Sequence, residues 1–263
     1  MARPPDPDTI YARAKDEGER RLTMPLAEQA SSGFIAGVTI VFGIVALGMV
    51  HDLLEPAFGA GPADLAGALA FGVGVVFLVV GRTELFTENF FDPVATAIDR
   101  SGRAPWLELG RLWGVVLVLN LVGGAVMTGI FVVPGALPSG AHEVLAGVAE
   151  HIAGKESLAT FTRAIAAGAL LTLLSFLLHS ADSTGSRMAL AWVVGAFLAL
   201  GPFDHVVVSA LHLLFGIWLG AAIGYADLAL NIGLAAAGNL LGGILLMTLT
   251  HAVQARTARG SDG

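Results

Sequence analysis

Long apolar runs separated by short polar joints dominate this chain. A helix crossing a bilayer needs about 20 mostly apolar residues, and six regions qualify, about 33–51, 64–98, 107–134, 160–181, 187–222 and 226–254. The second and fifth are too long for one straight crossing. Each is also interrupted by polar residues, Gly81-Arg82-Thr83-Glu84-Leu85-Phe86-Thr87-Glu88-Asn89 in the second and Gly201-Pro202-Phe203-Asp204-His205 in the fifth. Irregular backbone at membrane depth is tolerated only where it is buried in protein or lines a cavity, so both regions read as broken helices. Ionisable groups there are costly in lipid and mark a pathway, and a matched pair of interrupted spans points to a transport site.

The third region contains Asn120-Leu121-Val122-Gly123-Gly124 and the sixth Asn239-Leu240-Leu241-Gly242-Gly243. Three spans apart, an odd number, they run through the membrane in opposite directions, which predicts an inverted 3+3 repeat with halves at about 33–134 and 160–255. Taken alone, each Asn-Leu-x-Gly-Gly is helix packing, with small residues for close approach and an Asn to bond across helices. The expected fold is thus an all-α integral membrane protein, a six-span bundle with broken second and fifth helices. Residues 1–32 precede it and 256–263 follow as a tail expected to be disordered. Thr9 to Gln29 reads either as a helix on the membrane surface or as a solvated tail. The stretch from Pro134 to Ser157 is the longest loop on the opposite side and carries no site signal.

Composition agrees with this: 55% of residues are hydrophobic and only 13% charged, at a mean hydropathy of +0.76, against roughly 25% charged in a soluble domain. The net charge of -7 suggests no nucleic-acid partner, and the absence of cysteine excludes disulfides, thiolate metal sites and a cysteine nucleophile. The first apolar run begins only near Gly33, so no cleaved signal peptide is expected and the mature chain is taken to start near Met1. Of 14 lysines and arginines, Lys155 and Arg163 fall on the side away from the termini and Arg82 within the membrane. The rest, Arg3 among them, share the side of the termini, which places both ends in the cytoplasm.

The residues in the two interruptions suggest specific chemistry. His205 titrates near physiological pH in its unperturbed state, so it is suited to hand a proton to an anion, and its bland alternative is a histidine satisfied by a helix-helix hydrogen bond. Thr87 can donate to an anion or simply cap a helix, behind a Leu85-Phe86 gate. Arg82, Glu84 and Glu88 read as an ion-paired cluster holding the loop, with Asp92 in reach, since buried charges persist only when paired; selectivity is the competing role. His212, two helical turns after His205, is a second-site candidate. The other histidines read as structural or solvated, with no spacing for a metal site. Trp106, Trp113, Trp192 and Trp218 read as interface anchors. No nucleophile and base pair marks an enzyme, and no cofactor is expected.

The broken spans, Glu84-Leu85-Phe86-Thr87-Glu88-Asn89, Phe203-Asp204-His205 and the paired Asn-Leu-x-Gly-Gly motifs together resemble the formate/nitrite transporter family, from about Gly33 to Ala255. The resemblance implies an aquaporin-like six-helix fold, a homopentamer with one pathway per protomer in a bacterial-type inner membrane, and passage of a small monovalent anion, often with a proton. Under it, His205 is the central pore histidine and Thr87 the threonine of the loop that breaks the second span. Leu85 and Phe86 form the cytoplasmic constriction and Phe71 and Phe197 the outer one. Thr172 stands where formate channels carry an asparagine facing the histidine. Arg82, Glu84 and Glu88 depart from formate channels and resemble a branch with a Gly-Arg-x-Glu-Leu-Phe-Thr-Glu-Asn loop. An aquaporin-like neutral-solute channel or a non-conducting membrane subunit is the alternative, although the paired Asn-Pro-Ala motifs of the former are missing.

Overall fold

The structure, a computed structural model, describes residues 5–261. Met1 to Pro4, including Arg3, and Asp262 and Gly263 lie outside the described residues. The described chain is helical, in the order α1 (Pro7–Thr23), α2 (Leu26–Phe58), α3 (Ala60–Gly81), a 3-10 turn (Phe86–Phe90), α4 (Asp92–Asp99), α5 (Ala104–Phe131), α6 (Ser139–Ala153), α7 (Ser157–Ser180), α8 (Thr184–Leu200), α9 (Val206–Leu219) and α10 (Tyr225–Leu241). A π-helical stretch, Gly242–Thr248, joins α10 to α11 (Leu249–Ser261). Among the described residues, five helices are long and apolar enough to cross a membrane: α2, α3, α5, α7 and the continuous Tyr225–Thr257, with α8 and α9 as shorter apolar helices.

Helix packing follows the glycines. A Cβ on Gly37 of α2 would lie 2.1 Å from the Asn120 carbonyl of α5, and one on Gly168 of α7 2.1 Å from the Asn239 carbonyl of α10. Gly123 meets the Phe34 carbonyl in the same way and Gly242 that of Ile165. Backbones therefore touch at these crossings, and van der Waals packing, the main attraction between helices in lipid, is realised at its closest range.

Three expectations change here. First, the solvated-tail reading of Thr9 to Gln29 gives way to a helix, α1, which docks on α4 and α11 and buries Tyr11, Ala14 and Leu22. Second, the 134–157 stretch contains α6, which packs on α9 and α2 through Ala141, Leu145 and Ala149 and borders a cavity. Its buried residues at 141, 145 and 149 recur every four positions, a period obscured by the other small and apolar residues between them, Val144, Ala146 and Val148. Third, Ala255 and its neighbours continue a helix, with Ala252 and Ala255 buried and Arg256 paired to Asp99 at 2.8 Å.

Candidate functional site

Two helix ends create the site. α3 stops at Gly81 because Arg82 adopts the left-handed conformation (φ 51°), and the next ten residues cross the interior without α-helical hydrogen bonds. Buried backbone of this kind must find other partners, and side chains from several elements supply them. Asn120 of α5 accepts from the Phe86 N-H (2.9 Å) and donates to the carbonyls of Glu84 (3.0 Å) and Gly33 (2.8 Å). Trp113 donates to the Asn89 carbonyl at 2.9 Å, Thr248 to that of Phe90 at 2.6 Å, and Arg21 to that of Glu88 at 3.0 Å. Trp113 is therefore an inward-facing support of the turn rather than an interface anchor.

The second helix end is built in the same way. Gly201-Pro202 ends α8, and Asn239 of α10 accepts from the Val206 N-H (2.9 Å) while donating to the carbonyls of Asp204 (3.0 Å) and Ala164 (2.7 Å). Asn120 and Asn239 thus make matching sets of three bonds, a role beyond the helix packing their motifs suggested. Both are fully buried.

His205 caps α9, its Nδ1 accepting from the Val208 N-H at 3.3 Å. A nitrogen that accepts carries no proton, so the neutral ring holds its proton on Nε2. That atom lies 2.6 Å from Thr87 Oγ1 and donates to it. The Thr87 hydroxyl hydrogen is then left to point elsewhere. Both residues are buried, His205 at 1% exposure and Thr87 at 0%.

Two cavities approach this bridge from opposite ends. One, of about 960 Å³, is bordered by α6 and reaches Asp204, His205, Phe71 and Phe203. The other, of about 590 Å³, is bordered by α1 and reaches Leu78, Glu84, Glu88 and Ser175. Leu85, Phe86 and Thr87 are buried and line neither cavity.

Phe71, fully buried, borders the α6-side cavity together with Phe203, not Phe197. Phe197 is 51% exposed and touches the Phe203 ring edge-on at 5.1 Å. The turn at Gly201-Pro202 redirects the chain, so the aromatic after the break takes the position expected of the one before it. Thr172 is buried on α7, its hydroxyl facing Gly243, and among the described residues it makes no hydrogen bond to Thr87 or His205.

The loop charges sit differently from the self-neutralising cluster expected. Arg82 borders the α1-side cavity, its side chain 71% exposed and 3.7 Å from Glu17. Glu84 is paired instead with Arg20 (2.9 Å) and Arg21 (3.3 Å) of α1. Arg21 also reaches Asp92 at 3.4 Å, and Asp92 meets His179 at 2.9 Å. Glu88 makes no ion pair among the described residues, and its Oε1 is buried without a hydrogen bond. Although burial opposes it, the surrounding carboxylates raise the Arg21 guanidinium further above its ordinary range. Burial pushes the Glu17 carboxyl up, but the hydrogen bond from Arg20 and the charges of Arg21, Arg20 and Arg82 hold it below the usual carboxylate range. Arg20 and Arg21 were legible only as charges that orient the chain; the signal for more is their position one helical turn before the corner at Pro25.

On the other side, the Lys155 ammonium donates to Asp204 Oδ1, next to His205. Burial pushes Lys155 below its ordinary value, the bond and charge of Asp204 pull it back up, and Arg163 adds a downward push.

The profile of the formate/nitrite transporter family matches residues 8–253. The chain belongs to that family. It is accordingly a transmembrane transport protein and not an enzyme. Among its relatives, a probable formate transporter of Methanothermobacter thermautotrophicus is 30% identical over 86% of this chain and 88% of its own. An uncharacterized transporter of Bacillus subtilis, YrhG, is 27% identical over 93% and 91%, and the formate channel FocA of Escherichia coli is 28% identical over 73% and 74%. The fold matches that of a solved FNT family ion channel at a TM-score of 0.77, with 19% identity, over 94% of this chain and 98% of the other. A pentameric formate channel with formate bound matches at 0.66 with 19% identity, over 91% and 98%.

Proposed function

We propose that this protein moves a small monovalent anion, of the weak-acid kind represented by formate or nitrite, across a bacterial-type inner membrane together with a proton. The observation that carries the reading is the Thr87–His205 bridge, buried between two cavities that open at opposite ends. On this reading the chain makes six spans in two inverted halves. α3, the 3-10 turn and α4 form one broken span, α8 and α9 the other, and both termini lie in the cytoplasm. The α1-side cavity is then cytoplasmic and the α6-side cavity external. The matching bonds of Asn120 and Asn239 support the two-half arrangement. Assembly as a homopentamer follows from likeness to the pentameric formate channel, and the broad exposed apolar surface of α2, α3, α5 and α10 supports contacts with lipid or neighbouring subunits.

The chemistry follows from the cost of dehydration. A bare anion pressed between Leu85, Phe86, Phe71 and Phe203 loses its water, which for an isolated charge is far more costly than for a neutral polar molecule. The Thr87 hydroxyl donates to the arriving anion, because His205 occupies its oxygen as an acceptor. A proton entering from the α6-side cavity binds His205 Nδ1 and displaces the Val208 cap. The Nε2 proton then passes to an anion oxygen, leaving a neutral ring and a neutral acid that crosses the apolar barrier. Release into the other cavity returns the proton to water.

Proteoliposomes loaded with a pH dye test this. Wild-type protein is expected to take up formate or nitrite with a proton, and His205→Phe to abolish that coupled uptake while keeping its fold. Unchanged proton-coupled uptake in His205→Phe removes the relay, and permeation of water or glycerol with no anion flux favours a neutral-solute channel.

A further inference from the structure

The α6-side cavity contains polar groups that the bridge does not use. On α9, His205, Ser209 and His212 follow at i, i+4 and i+7, one face of the helix, and all three line the cavity. At 1.5 Å per residue, His212 stands about 10 Å further out than His205. It is 4% exposed, and its Nδ1 is buried with no hydrogen-bond partner among the described residues. A polar ring buried this deeply without a partner is exceptional. The residue borders the cavity, within reach of whatever occupies it.

Arg163, near the start of α7, lines the same cavity and is partly exposed, and among the described residues its guanidinium makes no ion pair and no hydrogen bond. Lys155 links the two electrostatically, since the charge of Arg163 acts on its ammonium and its own charge acts on His212. Lys155 itself is committed to Asp204. The remaining wall is acidic, with Asp52, Glu55, Asp64 and Glu143, and His51 bonded to Asp64 at 3.1 Å. An anion entering here meets repulsion except where Arg163 offsets it.

A guanidinium presents two parallel N-H groups that match a planar pair of oxygens, a geometry that an ammonium cannot reproduce. We propose that Arg163, Ser209 and His212 form a loading station that selects planar two-oxygen anions, carboxylate or nitrite, over anions with one binding atom, such as hydrosulfide or chloride. The proposal rests on the anion-transport reading above. Arg163 takes both oxygens, Ser209 and His212 donate to their other lone pairs, and the anion waits one step outside the Thr87–His205 bridge.

The test combines binding and flux on the full chain. Formate binding to purified protein is read by saturation-transfer NMR, and flux of formate, nitrite, chloride and hydrosulfide is read in vesicles of uniform orientation. Arg163→Lys and Arg163→Gln are each expected to weaken formate binding about tenfold, the scale of a lost charged hydrogen bond. The half-saturating formate and nitrite concentrations on the α6 side rise in step, while chloride and hydrosulfide flux stays as in the wild type. His212→Gln and Ser209→Ala give smaller shifts of the same pattern and serve if the Arg163 variants fail to fold. Unchanged formate affinity in the folded variants overturns the station, as does an equal loss for all four anions. Formate bound but not carried by the wild type refutes the transport reading alone; formate neither bound nor carried refutes both.

Discussion

Replacing Asn120 by alanine removes three hydrogen bonds at once and leaves the Phe86 N-H and the Glu84 and Gly33 carbonyls without their side-chain partner, in a place with no exposed surface. Side-chain bonds between membrane helices average about 0.6 kcal/mol, because the unfolded chain in lipid also finds partners; three of them set a floor of about 2 kcal/mol. A buried group left fully unpaired costs about 1–3 kcal/mol, and two of the three, the Phe86 N-H and the Glu84 carbonyl, sit on non-helical backbone with little alternative while Gly33 lies within α2, so the expected loss is about 2–6 kcal/mol. Asn120→Asp divides the effect, since it keeps an acceptor for Phe86 and loses both donors. Asn239→Ala removes the matching set and is expected to cost the same within about 1 kcal/mol, the context dependence of such bonds. Thermal unfolding in detergent measures the stability, and leak of a small dye-free anion through vesicles measures the gate: Asn120→Ala is expected to loosen Leu85 and Phe86 and raise uncoupled leak. If both alanine variants melt with the wild type and leak no more, the asparagines do not hold the turns, and the argument from matched hydrogen bonds fails.

The remaining predictions concern the interior charges, the helix crossings and acid. Arg21→Ala leaves Glu84 and Asp92 without their shared cation. Breaking a buried pair in this way costs about 3–5 kcal/mol, and unfolding in detergent is expected to show it, with partial recovery when Glu84→Gln is added. Gly37→Ala puts a methyl 2.1 Å from a backbone carbonyl that cannot swing away and is expected to cost about 1–3 kcal/mol; an unaltered melting temperature would show that α2 and α5 part easily. Because the folded Glu17 carboxyl is held below its ordinary value near 4.5, it stabilises the docked α1 above that pH, and the contribution is lost as pH falls through the lower folded value. Hydrogen exchange over α1 is therefore expected to rise on acidification, and Glu17→Gln to remove that pH dependence.

The sequence made the spans, the two interruptions and the Asn-Leu-x-Gly-Gly pair legible because lipid penalises polar groups so strongly that each exception needs a cause. Thr87 and His205, 118 positions apart, stand out for that reason. Groups defined by tertiary position were not legible. Arg20 and Arg21 look like ordinary positive charges beside a membrane, and only the docking of α1 turns them into partners of Glu84. Phe203 replaces Phe197 at the cavity wall because the turn after Gly201 reverses which aromatic faces inward, a matter of backbone direction that residue spacing does not encode. Arg163 reads in the sequence as one of two positive charges on the side away from the termini, and spacing does not reveal that its guanidinium has no partner among the described residues.

The asparagine pins have a consequence for how such a protein can change. Among the described residues, the Asn120 side chain binds α2 and the turn after α3, and the Asn239 side chain binds α7, the turn after α8 and the first residue of α9, so each pin lies inside its own half of the chain. The halves meet at the Thr87–His205 contact and where Thr248 holds the Phe90 carbonyl, but neither asparagine pin crosses between them. Substitutions that reshape one entrance can accumulate without unfastening the other, which lets one scaffold be retuned to new solutes, or to a new preferred direction of flow, one side at a time.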